Sequence, residues 1–353
     1  MMDRRRAMQA LGLAAAGAAL PAAIGGAALG ATRTAAPVRK APRLREGDTV
    51  GLVAPATYSD DPFKLELVEE AIAAMGLKPK RGAHVLDRYG YLAGTDEDRA
   101  ADINAMYADP EVKAVFAVRG GWGCARVLPH LDWDVISAHP KLLVGYSDIT
   151  ALHMAFAARA GFATIHGPIG ASAWTKMSWE SFRAVAFEGA TPTWRNPPGD
   201  EDRLVQKEGR TTAFRRGVAR GRLLGGNLTV LTALVGTPYL PDFKGAILFI
   251  EDVDEAEYRI DRMLTQLGLA GILGQLSGVV FGQCTDCTAK DGSSAGGFTL
   301  SQVLDQHLTP LGVPAFQGLE FGHVDDQFSL PEGVMAEIDA TAGTVKLLEP
   351  AVA

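Results

Sequence analysis

The segment Leu143-Val-Gly-Tyr-Ser-Asp-Ile-Thr150 ends an apolar run on a glycine and a tyrosine, sets Ser147 on the turn and passes at once into a helical pattern. A serine there is exposed at a strand end, beside helix-start N–H groups that lack intrahelical partners and carry positive potential. This suits a nucleophile on a sharp strand-to-helix turn, although Ile149 stands where G-x-S-x-G has its second glycine. It equally suits a plain N-cap, the commoner use of serine at such a place. Arg119-Gly-Gly-Trp-Gly123 follows another apolar run. Adjacent glycines let the backbone approach a ligand and aim N–H groups at it. Gly120 and Gly121 are thus candidates for half of an oxyanion hole, or for no more than a tight turn. No Gly-Lys-Ser/Thr follows and the spacing is not G-x-G-x-x-G, which weighs against a nucleotide-phosphate loop.

Two further groups complete a possible mechanism. Glu251 ends the apolar run 245–250 and opens the acidic turn Glu251-Asp-Val-Asp-Glu-Ala-Glu257, in which only the first position is tied to a rigid strand. Of the seven histidines, His323 lies in a loop between apolar strands and is free to reach a cleft; His130, His139 and His153 read as structural. Singly, each residue is better explained as cap, surface or loop. Together, Ser147, Glu251 and His323 give nucleophile, carboxylate and base in a chain order known for triads.

The elements that must position them alternate between strand and helix. Thr49–Pro55, Val112–Val118 and Lys141–Tyr146 read as buried strands, with helices at Phe63–Met75, from Thr95 to about Ala108, and at Asp148–Arg159. Near-continuous apolar strands in β-α units predict an α/β domain with a parallel, Rossmann- or flavodoxin-like sheet over residues 45–188. The Pro-, Gly- and acid-rich stretch 189–210 reads as a linker. Strands at Gly217–Leu224, Gly245–Ile250, Gly278–Gly282, Val334–Ile338 and Thr344–Leu348 then alternate with helices at Leu228–Val235, Glu257–Leu267 and Leu300–Leu308. They predict an α+β domain, 211–350, with a mixed or barrel-like sheet.

Charge and the amino terminus narrow the function classes. The chain has 353 residues and a net charge of −7, of which residues 1–40 contribute +5 and the remainder −12. An acidic body repels polyanions, so nucleic acid is excluded as a partner. Arg4-Arg5-Arg6 precedes an uncharged Ala/Gly-rich run to Thr32, broken by Pro21. This is the pattern of a twin-arginine export signal over residues 1–40, with cleavage expected between Ala27 and Ala36. An uncleaved anchor is the alternative. Export to the periplasm would expose Cys284 and Cys287 to oxidising conditions, and either a disulfide or two unpaired cysteines fits the spacing. A two-domain exported protein with a cleft also fits a periplasmic binding protein without turnover.

At these residues the sequence resembles the LD-carboxypeptidase family of serine peptidases, which includes the microcin C immunity proteins. The matching stretches are GLVAPAT (51–57), AVRGGWG (117–123), LVGYSDIT (143–150), GGNLTVLTALVGTPY (225–239), LFIEDVDEAEYRIDRML (248–264) and GLEFGH (318–323). The resemblance implies a serine on the N-terminal domain and a Glu and His on the C-terminal domain, across a cleft. Carried over by position, Ser147 is the nucleophile, Glu251 the orienting carboxylate and His323 the base. The oxyanion donors would be the N–H of Asp148 and of the Gly120–Gly121 pair, most directly Gly121. A homodimer, no metal or other cofactor, and a murein peptide substrate are also implied. The expected reaction is hydrolysis, through an acyl-enzyme, of the amide before the terminal D-Ala of a murein tetrapeptide. The alternative within the family is an amidase on peptidyl or aminoacyl nucleotides, for which Trp174, Trp179 and Trp194 are stacking candidates. Many members look cytoplasmic, whereas this chain carries an export pattern.

Overall fold

The computed structural model describes residues 38–199, 205, 209–288 and 297–353. The expected export segment up to residue 37, with its cleavage region and possible anchor, lies outside the described residues. No helix among the described residues is long and apolar enough to cross a membrane.

Five of the six strands of the first sheet are parallel: β1 (Thr49–Val53), β2 (Lys78–Arg81), β3 (Val112–Ala117), β4 (Leu142–Gly145) and β5 (Ile165–His166), in spatial order β2-β1-β3-β4-β5. The central strands are short apolar runs buried on both faces, as a helix-covered parallel sheet requires. Helix Pro62–Ala74 is N-capped by the Asp61 carboxylate, and helix Asp96–Ala108 by the Thr95 hydroxyl. The order is flavodoxin-like, with its reversal between β1 and β3, where a crevice opens at the carboxyl ends of the strands. The loops after β1, β3 and β4 all emerge at that end.

The second sheet is mixed, as expected. Its strands are β6 (Thr193–Trp194), β7 (Thr212–Arg215), β8 (Val218–Asn227), β9 (Ile247–Val253), β10 (Gly278–Thr285) and β11 (Ala315–Gln317), then, beyond β12 (Leu330–Pro331), β13 (Met335–Asp339) and β14 (Thr344–Leu347). The order is β6-β14-β13-β8-β9-β10-β11-β7, parallel from β8 to β11 and antiparallel outside. Strand β6 falls within the stretch read as a linker, where Trp194 is buried and donates its indole N–H to Ser181. Strand β12 crosses to the first sheet and pairs antiparallel with β5.

The two sheets share their cores. One apolar cluster runs from Val53, Ile103 and Leu152 to Leu231, Leu264 and Leu308. Each fully buried Leu or Ile contributes roughly 1.5–3 kcal/mol relative to exposure, so the sheets are fixed to one another by many such residues. One polar link and one close approach add direction: Asn227, at the end of β8, donates its N–H to Thr150 Oγ1 at 2.8 Å, and Gly226 passes so close to Thr150 that a side chain there would collide. Cys284 and Cys287 are joined in a disulfide, and Cys124 is the free, buried cysteine among the described residues.

Candidate active site

Ser147 directly follows β4 and Tyr146, at the start of a 3-10 turn, Ser147–Ile149, that leads into helix Thr150–Ala155. The helical stretch expected from Asp148 is thus three short pieces, ending in a π turn over Phe156–Ala160. Ser147 has φ +63, a left-handed conformation that is rare and strained for a residue with a side chain. The close approach around it explains how the strain is held. A side chain on Gly145 would collide with Ile149, and one on Gly120 would lie 3.0 Å from Ser147 Cβ and 3.2 Å from its Oγ. Glycine at 145 and 120 therefore lets the serine turn sit tightly on its neighbours, while Ile149, in the place of a second elbow glycine, fills the core.

Glu251 lies inside β9 rather than at its end, opposite Asn227 of β8, and is fully buried. His323 follows β11 in a loop anchored by Phe321, whose ring packs 5.7 Å from that of Phe249, and by the Thr285 hydroxyl, which donates to His323 O at 2.7 Å. The three residues meet. His323 Nδ1 lies 2.7 Å from Glu251 Oε2, and His323 Nε2 lies 3.0 Å from Ser147 Oγ. Burial disfavours the imidazolium, but the Glu251 hydrogen bond and charge, with Asp252 and Asp254 adding, outweigh it and raise the His323 pKa above its ordinary value. Tyr146 backs the imidazole edge-on at a ring separation of 4.9 Å.

The neighbouring acids have other work. Asp252 accepts from Asn227 Nδ2, from the Thr229 N–H and hydroxyl, and from the Val253 N–H. Burial, and then the Glu251 charge, push its pKa up to about 6. Asp148 turns its carboxylate back to accept the Cys124 N–H at 2.8 Å, tying the serine turn to the far end of the glycine loop. That loop is held from its other side by the Trp122 N–H donating to Thr57 Oγ1 at 3.0 Å. Gly121, at φ +117, and Ser147 line the same two cavities, and Gly120 lines the first with them.

Several contributors carried no distinctive sequence signal. Arg99 is buried and donates to the carbonyls of Pro55 and Gly123, pinning the loops after β1 and β3 with one guanidinium. His166, fully buried behind Tyr146 and Phe249, is held neutral, its pKa pushed well below the ordinary value by burial. His153 bridges Gly145 O and Thr164 Oγ1 and, by burial, has its pKa lowered to about 4, the structural role expected of it. The stacking candidates are elsewhere: Trp174 and Trp179 pack on Phe182, and Trp194 on Phe328. Besides Tyr146, aromatic residues reach the serine's surroundings at Trp122 and Tyr91, both exposed and lining one cavity with it.

Gly322 sets a sharp test of how closely the pair Glu251–His323 is held. It adopts φ +105, and a Cβ there would lie 2.7 Å from both Glu251 Cβ and Oε2. Glu251 is buried on its strand and has nowhere to retreat. Gly322→Ala is expected to lower thermal stability by about 1–3 kcal/mol. By displacing the imidazole it should also cut kcat/KM by about 100-fold. Thermal melts and steady-state kinetics on one preparation would measure both; an unchanged kcat/KM would show that the histidine loop adapts freely.

With this geometry in place, comparison with known proteins is direct. Residues 50–167 match the LD-carboxypeptidase N-terminal domain and residues 220–338 the LD-carboxypeptidase C-terminal domain. The chain is 36% identical over 306 residues to a probable murein peptide carboxypeptidase of Bacillus subtilis (strain 168), covering 85% of this chain and 92% of that protein. It is 33% identical over 296 residues to the murein tetrapeptide carboxypeptidase of Pseudomonas aeruginosa, covering 82% and 92%. The solved structure of the microcin C7 self-immunity protein MccF superimposes with a TM-score of 0.77 at 25% identity, over 89% of this chain and 100% of that one. Two matching domains, in order and on either side of one serine–histidine–carboxylate contact, show that the chain belongs to the LD-carboxypeptidase family.

Proposed function

We propose that this protein is a serine LD-carboxypeptidase that removes the terminal D-Ala of murein tetrapeptides through an acyl-enzyme. The observation that carries this reading is the single imidazole bridging Ser147 Oγ and the buried Glu251 carboxylate. In the reaction His323 Nε2 takes the Ser147 proton as the hydroxyl attacks the carbonyl. Glu251 holds the proton on Nδ1 and stabilises the imidazolium that forms. The N–H groups of Asp148 and Gly121 receive the oxyanion, each worth roughly 3–4 kcal/mol in the transition state. The imidazolium then protonates the departing amine, and water repeats the sequence on the ester.

Relatives named for murein peptides support this substrate, and so does the charge around the serine. Asp252, Asp254 and Glu255 line one cavity beside it, with Arg126 as the only cation in the lining among the described residues. Such a lining favours the free amine of a diamino acid and disfavours a nucleotide phosphate. The second reading, an amidase on aminoacyl nucleotides, would use Trp122 and Tyr91 in that cavity as a stacking surface, against the same carboxylates. We place the reaction outside the cytoplasm, on the paired arginines and apolar run of residues 4–32. Incubation of the protein with a murein tetrapeptide should release D-Ala, followed by mass spectrometry, and a periplasmic extract should carry the activity. Cleavage of an aminoacyl sulfamoyl adenosine in preference to the tetrapeptide would select the second reading.

A further inference from the structure

Ser147 and Gly121 form a divide between two cavities of different chemistry. The first, about 410 Å³, is lined by Lys64, Arg119, Tyr146, Ile169, Ala171 and His323, among others. The second, about 590 Å³, is the acidic one bearing Trp122, Asp254 and Glu255. His323 lines only the first. In acyl transfer through a serine, the imidazole that deprotonates the hydroxyl must next protonate the leaving amine, so the leaving group sits on the imidazole's side. Its position therefore assigns a direction to the substrate, and charge on the two sides agrees with that direction.

We infer that the first cavity receives the departing D-amino acid, with Arg119 binding its free α-carboxylate, while the acyl part with its cationic amine lies in the second. This rests on the peptidase reading above. Arg119 is half-buried and already oriented, because its Nη1–H donates to Tyr58 O at 2.9 Å. A guanidinium has five N–H donors in a planar fork, which leaves others for a carboxylate. Lys64 is a weaker candidate: it is half-exposed and paired with Asp60 at 2.8 Å. Ile169 and Ala171 supply the apolar wall against which a small side chain would rest. Arg119 so placed explains why the enzyme would act on chain ends: an internal peptide bond presents no carboxylate there.

The test compares a murein tetrapeptide ending in a free carboxylate with the same peptide ending in a carboxamide, using the full chain. Wild type is expected to prefer the acid by about 100-fold in kcat/KM. Arg119→Ala should bring the acid-to-amide ratio to within about threefold, and Arg119→Lys should restore part of it, because an ammonium keeps the charge and loses the fork. Labelling of Ser147 by a fluorophosphonate reports that each variant is folded. Where Arg119→Ala does not label, Arg119→Lys decides, with a ratio lowered about tenfold expected. A ratio unchanged in the variants, or wild-type rates equal on acid and amide, overturns the assignment of Arg119 and leaves the peptidase standing. Wild type that labels but cleaves neither peptide overturns the peptidase reading, and this inference with it.

Discussion

Ser147→Ala is expected to abolish D-Ala release, lowering kcat by about 10⁴–10⁶-fold, while leaving the fold intact. Such losses are those found when a triad nucleophile is removed and only binding and oxyanion donors remain. The fold should survive for reasons specific to this position. The serine hydroxyl bonds to His323 Nε2 at 3.0 Å, on the cavity side of the imidazole, where water can take its place. The left-handed backbone at φ +63 is as strained for alanine as for serine, so the substitution neither relieves nor adds to it. A shift in melting temperature of no more than a few degrees is expected, together with loss of fluorophosphonate labelling. Variant protein that still releases D-Ala at the wild-type rate would mean that water attacks directly, and would leave Ser147 as a helix-start residue.

What made Ser147 readable in the sequence was local: an apolar run, a glycine, a serine and a helical pattern within eight residues. The buried strands β1, β3, β4 and β9 were legible for the same reason, since each is an apolar run with turn residues at its ends. Strand β2, Lys-Pro-Lys-Arg, was not legible, because an edge strand with one partner needs no apolar face. Strands β5, β6, β11 and β12 have two or three residues each and exist through distant pairing, as His166 with Leu330 shows. Helix Lys176–Ala186 carries a usable sequence signal: Thr175 caps it, and Phe182, Val185 and Ala186 are buried at helical spacing. The site divides in the same way. Glu251 and His323 could be named as strand-end and loop residues, but they lie 72 positions apart, and His323 lies 176 from Ser147. Their meeting depends on β9 being packed against β8 and on Asn227 reaching Thr150, contacts that no spacing encodes. Arg99 was invisible as a positioning residue because a guanidinium on a helix ordinarily faces water.

Glu251→Gln should lower kcat/KM by about 10⁴-fold, the scale on which a triad carboxylate acts when the geometry is kept but the histidine tautomer is no longer fixed. The neutral amide offers no charge to balance the imidazolium formed on attack. A pH profile separates this from a packing defect. The kcat/KM of the wild type needs neutral His323, so its acid limb falls at the free-enzyme pKa of that residue, which lies above the ordinary imidazole value. Burial alone would lower that pKa; the hydrogen bond and charge of Glu251 are the leading reasons it is raised. Removing the charge should therefore move the acid limb toward lower pH at the same time as the plateau falls. Asp252 and Asp254 still favour the imidazolium and will keep the shift from being complete. Asp252 is committed to Asn227, Thr229 and the Val253 N–H, so it is not free to replace Glu251 at Nδ1. A plateau lowered with no movement of the acid limb would show that Glu251 holds the imidazole in place without setting its charge. Near-normal activity would remove Glu251 from the mechanism and pass its role to another carboxylate.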